Sequence, residues 1–218
     1  MSESIRASIA EFIGTFMLVF VGIFAAGIAG QQGVAVAALG HGLILVGIAY
    51  SFGKISGAHV NPAITVSLLI GGKIKIDRAM YYIVAQLLGA VVAAAVAGVL
   101  SGDIVAAGQT KGSLTESAVW TAALFEAVLT FFLATAVWQT AVHGHGGDLA
   151  GVAIGLALAG SILAGGVFTG ASLNPARTLG PALIAGDLSY VIPYLVGIFA
   201  GAIIAALVHG FILTADSK

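Results

Sequence analysis

Two asparagine-proline pairs stand in nearly apolar surroundings, in "SGAHVNPAITVSLL" and "TGASLNPARTLGPAL". Asparagine is a favoured helix cap, and proline suits the first helical position, where its missing N–H has no partner to lose. Asn61-Pro62-Ala63 and Asn174-Pro175-Ala176 therefore predict two helix starts. The chemistry offered there is non-covalent: a side-chain amide beside a helix N-terminus that carries about half a positive charge. The backbone ahead of each asparagine holds Gly57, Ala58 and His59 in one copy and Gly170 and Ser172 in the other. Non-helical backbone at membrane depth is tolerated only where it is buried in protein or lines water. The two glycines let it pack tightly and turn its carbonyls to one side. A file of carbonyl acceptors leading to two amide donors suits a small, neutral, hydrogen-bonding molecule and opposes cations and protons.

Few other residues in the apolar segments carry charge. Arg177 lies one turn into the second Asn-Pro helix, where an arginine must face a cavity or a partner, and no carboxylate in that half clearly claims it. It is read as facing the pore. Glu11 and Glu126 invite a proton-relay reading, but a relay needs a chain of partners. They are read instead as acceptors for the loops ahead of the asparagines. His143 and His145 in "HGHGGD" could bind a metal or sense pH, yet two histidines and one aspartate fix no geometry, so a solvated loop is expected. His209, near the end of the last apolar run, is expected to snorkel to the interface. No metal or cofactor site is predicted. No serine or aspartate pair is placed to act with a histidine as a hydrolase would need.

Composition says what must hold these residues. Hydrophobic residues make up 60% of 218 positions and charged residues 8%, against about 45–50% and about 25% in soluble domains. Lipid must be the solvent. A net charge of −1 gives no case for a nucleic-acid partner, and the absence of cysteine excludes disulfides and thiolate metal sites. About 20 apolar residues are needed per spanning helix, and six segments qualify: 7–29, 34–53, 79–100, 118–140, 149–168 and 189–213. The first is too long for a signal-peptide core and is interrupted by Glu11, so it is read as an uncleaved span. Arg6, Lys54, Lys73, Lys75, Arg78 and Lys218 fall on one side of this six-span arrangement and only Lys111 in a loop on the other. Both termini are therefore expected in the cytoplasm.

The Asn-Pro helices are too short to cross. Pro62–Ile70 spans about 13 Å and Pro175–Ala185 about 16 Å, so end to end they match the roughly 30 Å hydrocarbon core. Two half-helices entering from opposite faces would meet asparagine to asparagine. The chain also repeats itself. Asn61 and Asn174 are 113 residues apart, Glu11 and Glu126 115 apart, and "YIVAQLLGAVVAAAV" matches "YLVGIFAGAIIAALV" at an offset of 112. Each unit has three spans, so the second copy is inverted, and such repeats put their site near the bilayer midplane. One channel domain over 1–218 is expected, with repeats of about 1–106 and 112–218. "GVAIG" (151–155) and "GIFAG" (197–201) are close-packing signatures that serve either the monomer fold or an oligomer.

Six spans, inverted repeats and the boxes "SGAHVNPA" and "NPAR" resemble the aquaporins, or major intrinsic proteins, over essentially the whole chain. "ALGHGLILVGIAYSFGKISGAHVNPAITV" looks closest to the plant tonoplast intrinsic branch, while the short termini and loops look prokaryotic. The resemblance implies an all-α membrane channel with six spans and two re-entrant half-helices, passing water in a cell membrane, usually as a homotetramer with one pore per subunit. It implies that Arg177 belongs to a narrow outer filter, whose other positions carry over by spacing to His41, Ile162 and Ala171. It also implies that Glu11 and Glu126 accept hydrogen bonds from the half-helix loops. Strict water channels of the family carry an aromatic where His41 stands and a histidine where Ile162 stands. The departure implies a wider, less polar opening in which Arg177 can shift, and an ammonia leak beside water. Glycerol facilitators carry aspartate straight after the arginine and lysine four further on, whereas this chain has Thr178 and Ala182. A glycerol-type facilitator and a proton-coupled transporter are the alternatives.

Overall fold

Ser2 caps the first helix, its hydroxyl accepting from the Ile5 amide at 3.3 Å, with Glu3 in the first turn where negative charge suits the helix dipole. From there the computed structural model describes residues 2–214, in which every regular element is helical. In chain order these are α1 (Glu3–Gln32), α2 (Val34–Ser56), α3 (Pro62–Ile70), α4 (Ile76–Ser101), α5 (Ile104–Ala107), α6 (Ser113–Ser117), α7 (Val119–Ala136), α8 (Ala150–Thr169), α9 (Pro175–Ala185) and α10 (Val191–Leu207). Helices α7 and α10 each end in a π-helical turn, Val137–Val142 and Val208–Ile212. Among the described residues six helices are long and apolar enough to span a bilayer: α1, α2, α4, α8, and α7 and α10 taken with their π-helical turns. Large apolar side chains line the outside, Leu43 at 67% exposure and Ile192 at 65% among them, as a lipid-solvated surface allows.

The spans outrun the apolar segments. Polar Gln31 and Gln32 stay helical, so α1 and α2 are parted by Gly33 alone, at φ +89°. The last span begins later than expected, at Val191, because Asp187 takes the amide and hydroxyl of Ser189 in a turn. The half-helices α3 and α9 have the bounds expected of them. Lys218, counted with the basic side, lies outside the described residues.

Small residues set the packing. A Cβ on Gly42 would lie 2.8 Å from the Gly155 carbonyl, and one on Gly155 would lie 2.6 Å from the Gly42 carbonyl, so α2 and α8 cross backbone to backbone. Gly197 and Gly201 leave α10 in the same close contact with the Ala123 and Ala127 carbonyls of α7. "GVAIG" and "GIFAG" therefore both serve packing within the chain. Each half-helix lies between α4 and α10: α3 packs more on α10, α9 more on α4.

Two histidine readings change. His209 does not snorkel. It is buried at 4% exposure, with Nε2 2.8 Å from Thr135 Oγ1 and Nδ1 2.9 Å from Gln139 Nε2. The π-helical turn and polar partners on α7 hold the ring inside, where buried nitrogens need bonds. The turn after α7 is not simply solvated either: His145 is exposed, but His143 is half-buried, with Nε2 2.9 Å from the His209 carbonyl. Among the described residues no cluster could hold a metal ion.

Candidate functional site

Asn61 and Asn174 cap α3 and α9 in the same way. The Asn61 Oδ1 accepts from Ala63 N at 2.9 Å and Ile64 N at 3.4 Å; the Asn174 Oδ1 accepts from Ala176 N at 2.9 Å and Arg177 N at 3.4 Å. Prolines 62 and 175 occupy the first helical position of each. The two amides also tie the loops together. Asn61 Nδ2 donates to the Leu173 carbonyl at 2.8 Å, and Asn174 Nδ2 donates to the Val60 carbonyl at 2.9 Å. An amide NH2 has two hydrogens, so each asparagine keeps one free while its orientation is locked by its other bonds.

The glutamates orient the loops. Glu11 Oε1 accepts from Ser56 Oγ at 2.6 Å and His59 N at 2.9 Å, while Oε2 accepts from Val60 N at 2.6 Å and Gln86 Nε2 at 2.8 Å. Glu126 Oε1 accepts from Thr169 Oγ1 at 2.7 Å and Ser172 N at 3.0 Å, and Oε2 from Leu173 N at 2.8 Å. In a planar trans peptide the carbonyl points opposite to the N–H. With the His59 and Val60 amides directed at Glu11, the Ala58 and His59 carbonyls face away from it; the Ala171 and Ser172 carbonyls face away from Glu126 in the same way. The backbone bends hard to do this. Ala58, Val60, Ala171 and Leu173 all have φ between +42° and +55°, a left-handed conformation unusual for β-branched Val60. Such strain persists only where surrounding bonds over-determine it, and the buried carboxylates supply those bonds.

A cavity of ≈ 250 Å³ runs past His41, His59, Asn61, Ser172, Asn174 and Arg177, with Leu45, Ile64, Leu133 and Leu158 on its apolar wall. It shares Gly57, His59 and Lys73 with a cavity of ≈ 580 Å³ at one end, where Lys54, Lys75 and Arg78 also stand. At the other end Ile162, Gly170 and Lys111 line a separate cavity of ≈ 240 Å³. No residue lines both this cavity and the central one, and His41 and Arg177 lie at the central one's edge of that gap.

Arg177 is buried at 2% exposure without a carboxylate partner. Among the described residues the ion pairs are Arg78–Glu3 and Lys111–Asp187. The Arg177 Nε donates to His41 Nε2 at 3.1 Å, and Nη2 donates to the carbonyls of Gly22 at 3.3 Å and Gly108 at 2.7 Å. Nη1 has no protein partner, on a side chain that lines the cavity. The expected freedom of Arg177 to shift is thus corrected: two groups of its fork are held. His41 Nδ1 is 2.7 Å from the Ala37 carbonyl and must carry the hydrogen there, leaving Nε2 to accept from Arg177. Both ring nitrogens are used within the protein. Ile162 lines the separate end cavity, and Ala171 packs in the same apolar cluster as Ile162 without lining either space.

Several contributors carried no motif. Gln86 bridges Glu11 and Thr65, the latter at 3.0 Å. Tyr82 and Tyr194, 112 residues apart, donate to the Ser56 and Thr169 carbonyls at the two loop entrances, at 2.7 and 2.8 Å. A polar residue inside an apolar span was the available signal for Gln86. The carbonyls of Gly22 and Gly108 leave no such trace.

A family model for major intrinsic proteins matches residues 1–209. The chain belongs to the major intrinsic protein family. Among curated relatives of this major intrinsic protein, "Aquaporin TIP1-2" of Musa acuminata is 41% identical over 220 residues, covering 95% of this chain and 86% of that protein. "Glycerol uptake facilitator protein-like 6" of Lactiplantibacillus plantarum is 42% identical over 208 residues, covering 92% and 95%. Among solved structures, the aquaglyceroporin from Plasmodium falciparum superposes with a TM-score of 0.82 at 25% identity, over 96% of this chain and 97% of that one. The chain is a multi-pass membrane protein with the aquaporin fold.

Proposed function

We propose that this major intrinsic protein is a passive water channel, not an enzyme. The observation that carries the reading is the reciprocal pair of asparagines, each with one amide hydrogen bonded to the other half's loop and one left over, at two opposed helix N-termini inside a single cavity. A molecule that accepts from both amides there and donates to the carbonyl files on either side exchanges its bulk hydrogen bonds for equivalent ones. A cation meets two positive helix ends and a guanidinium. The aquaporin-named relatives support water as the solute. A relay through Glu11 or Glu126 is disfavoured, since both oxygens of each already accept protein donors.

A second reading extends the first. With both His41 nitrogens engaged and Ile162 apolar, the outer filter offers fewer polar atoms than its residue types suggest. We assign to it ammonia as a second solute, close to water in size and neutral. Glycerol passes poorly in this reading, although relatives include a glycerol facilitator and an aquaglyceroporin. We further infer that residues of about 1–106 and 112–218 are inverted repeats, supported by contacts that recur at offsets of 112 to 115. We place the chain in a cell membrane with the Lys54–Lys75–Arg78 end and both termini cytoplasmic, as a homotetramer.

Stopped-flow light scattering of proteoliposomes in a sucrose gradient tests the water reading. The wild-type protein should accelerate shrinkage, and Asn61→Ala or Asn174→Ala should lower it severalfold, since each removes a central donor and a cap whose loss costs about 1 kcal/mol. Folded variants with undiminished flux would remove the asparagines from the conducting path.

A further inference from the structure

The shortest bond to the Arg177 guanidinium comes from outside the membrane-spanning helices. Gly108, whose carbonyl takes Nη2 at 2.7 Å, belongs to the connection between α5 and α6. That connection lies directly on the filter loop: a Cβ on Gly170 would fall 2.5 Å from Lys111 N and 2.6 Å from Thr110 C. Three residues past Gly108, Lys111 Nζ donates to Asp187 Oδ2 at 2.6 Å and stands 5.7 Å from the Tyr190 ring centre. Asp187 in turn directly follows Gly186, the residue that ends α9. Its other oxygen is fixed by Ser189, through the amide at 3.1 Å and the hydroxyl at 2.7 Å. Beside the ion pair, Tyr190 Oη donates to Gln109 Oε1 at 3.3 Å.

These contacts close a circuit. Arg177 leaves α9 at its first turn, its guanidinium reaches Gly108, the chain runs to Lys111, and Lys111 returns to the far end of α9. Gly108 is seated from one side by the backbone of Ile23, and the Lys111–Asp187 ion pair is the charged tie that holds its segment to α9. We propose that Lys111 and Asp187 form a latch that fixes the width of the outer constriction, making them selectivity-determining positioning residues although neither stands at its narrowest point. The inference rests on the channel reading. An ion pair with both side chains about one-third exposed contributes little to overall stability, so its effect belongs to the placement of Gly108 and hence of Arg177. Released, the segment moves outward with the guanidinium, and the opening admits larger neutral polar solutes before water passage changes much.

Glycerol and water permeabilities measured on the same proteoliposomes test this, because their ratio is independent of how much protein is incorporated. Lys111→Met and Asp187→Asn should each raise the glycerol-to-water ratio by about threefold or more, as expected when a pore is widened at its narrowest point. Lys111→Arg should keep the wild-type ratio, and Lys111→Glu combined with Asp187→Lys should bring it back toward wild type. Ratios equal to wild type in both neutralised variants overturn the latch, while wild-type water flux remains high. Wild-type vesicles no faster than protein-free ones would instead overturn the channel reading beneath it.

Discussion

At Gly22 there is room for a hydrogen and nothing larger. A Cβ there would run into His41 Nε2 and lie 3.0 Å from Arg177 Nε, and the Gly22 carbonyl itself accepts from Nη2. Gly22→Ala should push the imidazole and guanidinium toward the cavity. Overpacking of this kind costs about 1–3 kcal/mol, so the variant should fold with a lower melting temperature and lose most water flux; wild-type shrinkage rates would refute the crowding. Glu126 makes a second case. Glu126→Gln keeps one oxygen for Thr169 and Ser172 and sets a donor against the Leu173 amide, while Glu126→Leu strands all three donors. A buried donor left unmet costs about 1–3 kcal/mol. The glutamine variant should therefore retain much of the flux, and the leucine variant should fail to assemble, as read by monodispersity in detergent. A glutamine variant that lost only pH-driven transport would point to proton coupling instead. What could be read from the sequence divides along the same line. Asparagine, proline and glutamate announced themselves as polar or helix-breaking residues in apolar surroundings. Gly22 and Gly108 accept through backbone carbonyls, which every residue has, and among 31 glycines the two that leave room for the filter carry no distinguishing mark.

Helices α3 and α9 were legible to the residue because cap, proline and terminal glycine all act within a dozen positions. The π-helical turn Val137–Val142 was not, since what it achieves is tertiary. It places Trp138 so that Nε1 donates to Ser67 Oγ at 2.9 Å, with the ring over Gly71 at the end of α3. The burial of His209 escapes the sequence for the same reason: its partner Thr135 lies on α7 and Gln139 in the π-helical turn after it, some seventy residues away. Trp138→Phe should lower the melting temperature, and adding Ser67→Ala should lower it little further, because the two share one bond and their effects do not add. Fully additive losses would deny the clamp. At the other end of the molecule, the hydrogen bond from Lys111, then those from Ser189, hold the Asp187 carboxyl down at about 2. A depressed carboxyl contributes above its unfolded value, about 3.9, and loses that contribution as pH falls through about 2. The glycerol-to-water ratio of the wild-type protein should accordingly stay flat from about pH 5 to 8; a rise on mild acidification would assign the latch to some other group.

Taken whole, the path is asymmetric. One mouth gathers Lys54, Lys73, Lys75 and Arg78 against Glu3 and Asp77, with Arg78 paired to Glu3, while at the other Lys111 is paired with Asp187. The central cavity and the one lined by Ile162 share no lining residue, and His41 and Ile162 stand on either side of that break; the proposed discrimination among neutral solutes is assigned to it. Vesicles loaded with a pH-sensitive dye should alkalinise on an ammonium gradient faster than protein-free vesicles. Ile162→His, which restores a polar ring, should reduce that signal more than it reduces water flux. Alkalinisation equal to empty vesicles beside rapid shrinkage would confine the pore to water.

The half-helices are shared between the two halves of the chain: α3 rests mainly on α10, α9 on α4, and each asparagine bonds a carbonyl of the other half's loop. During synthesis α3 therefore emerges long before its main support exists. A nascent chain ending ahead of α7 has Glu11 to gather the first loop, but neither the Leu173 carbonyl for Asn61 nor Leu133, Asn174 and Arg177 to wall the cavity. The central cavity has all its walls only once the loop ahead of α9 and the first turn of α9 are in place. A ribosome that stalls midway leaves inserted helices in the host membrane but no finished hole through it.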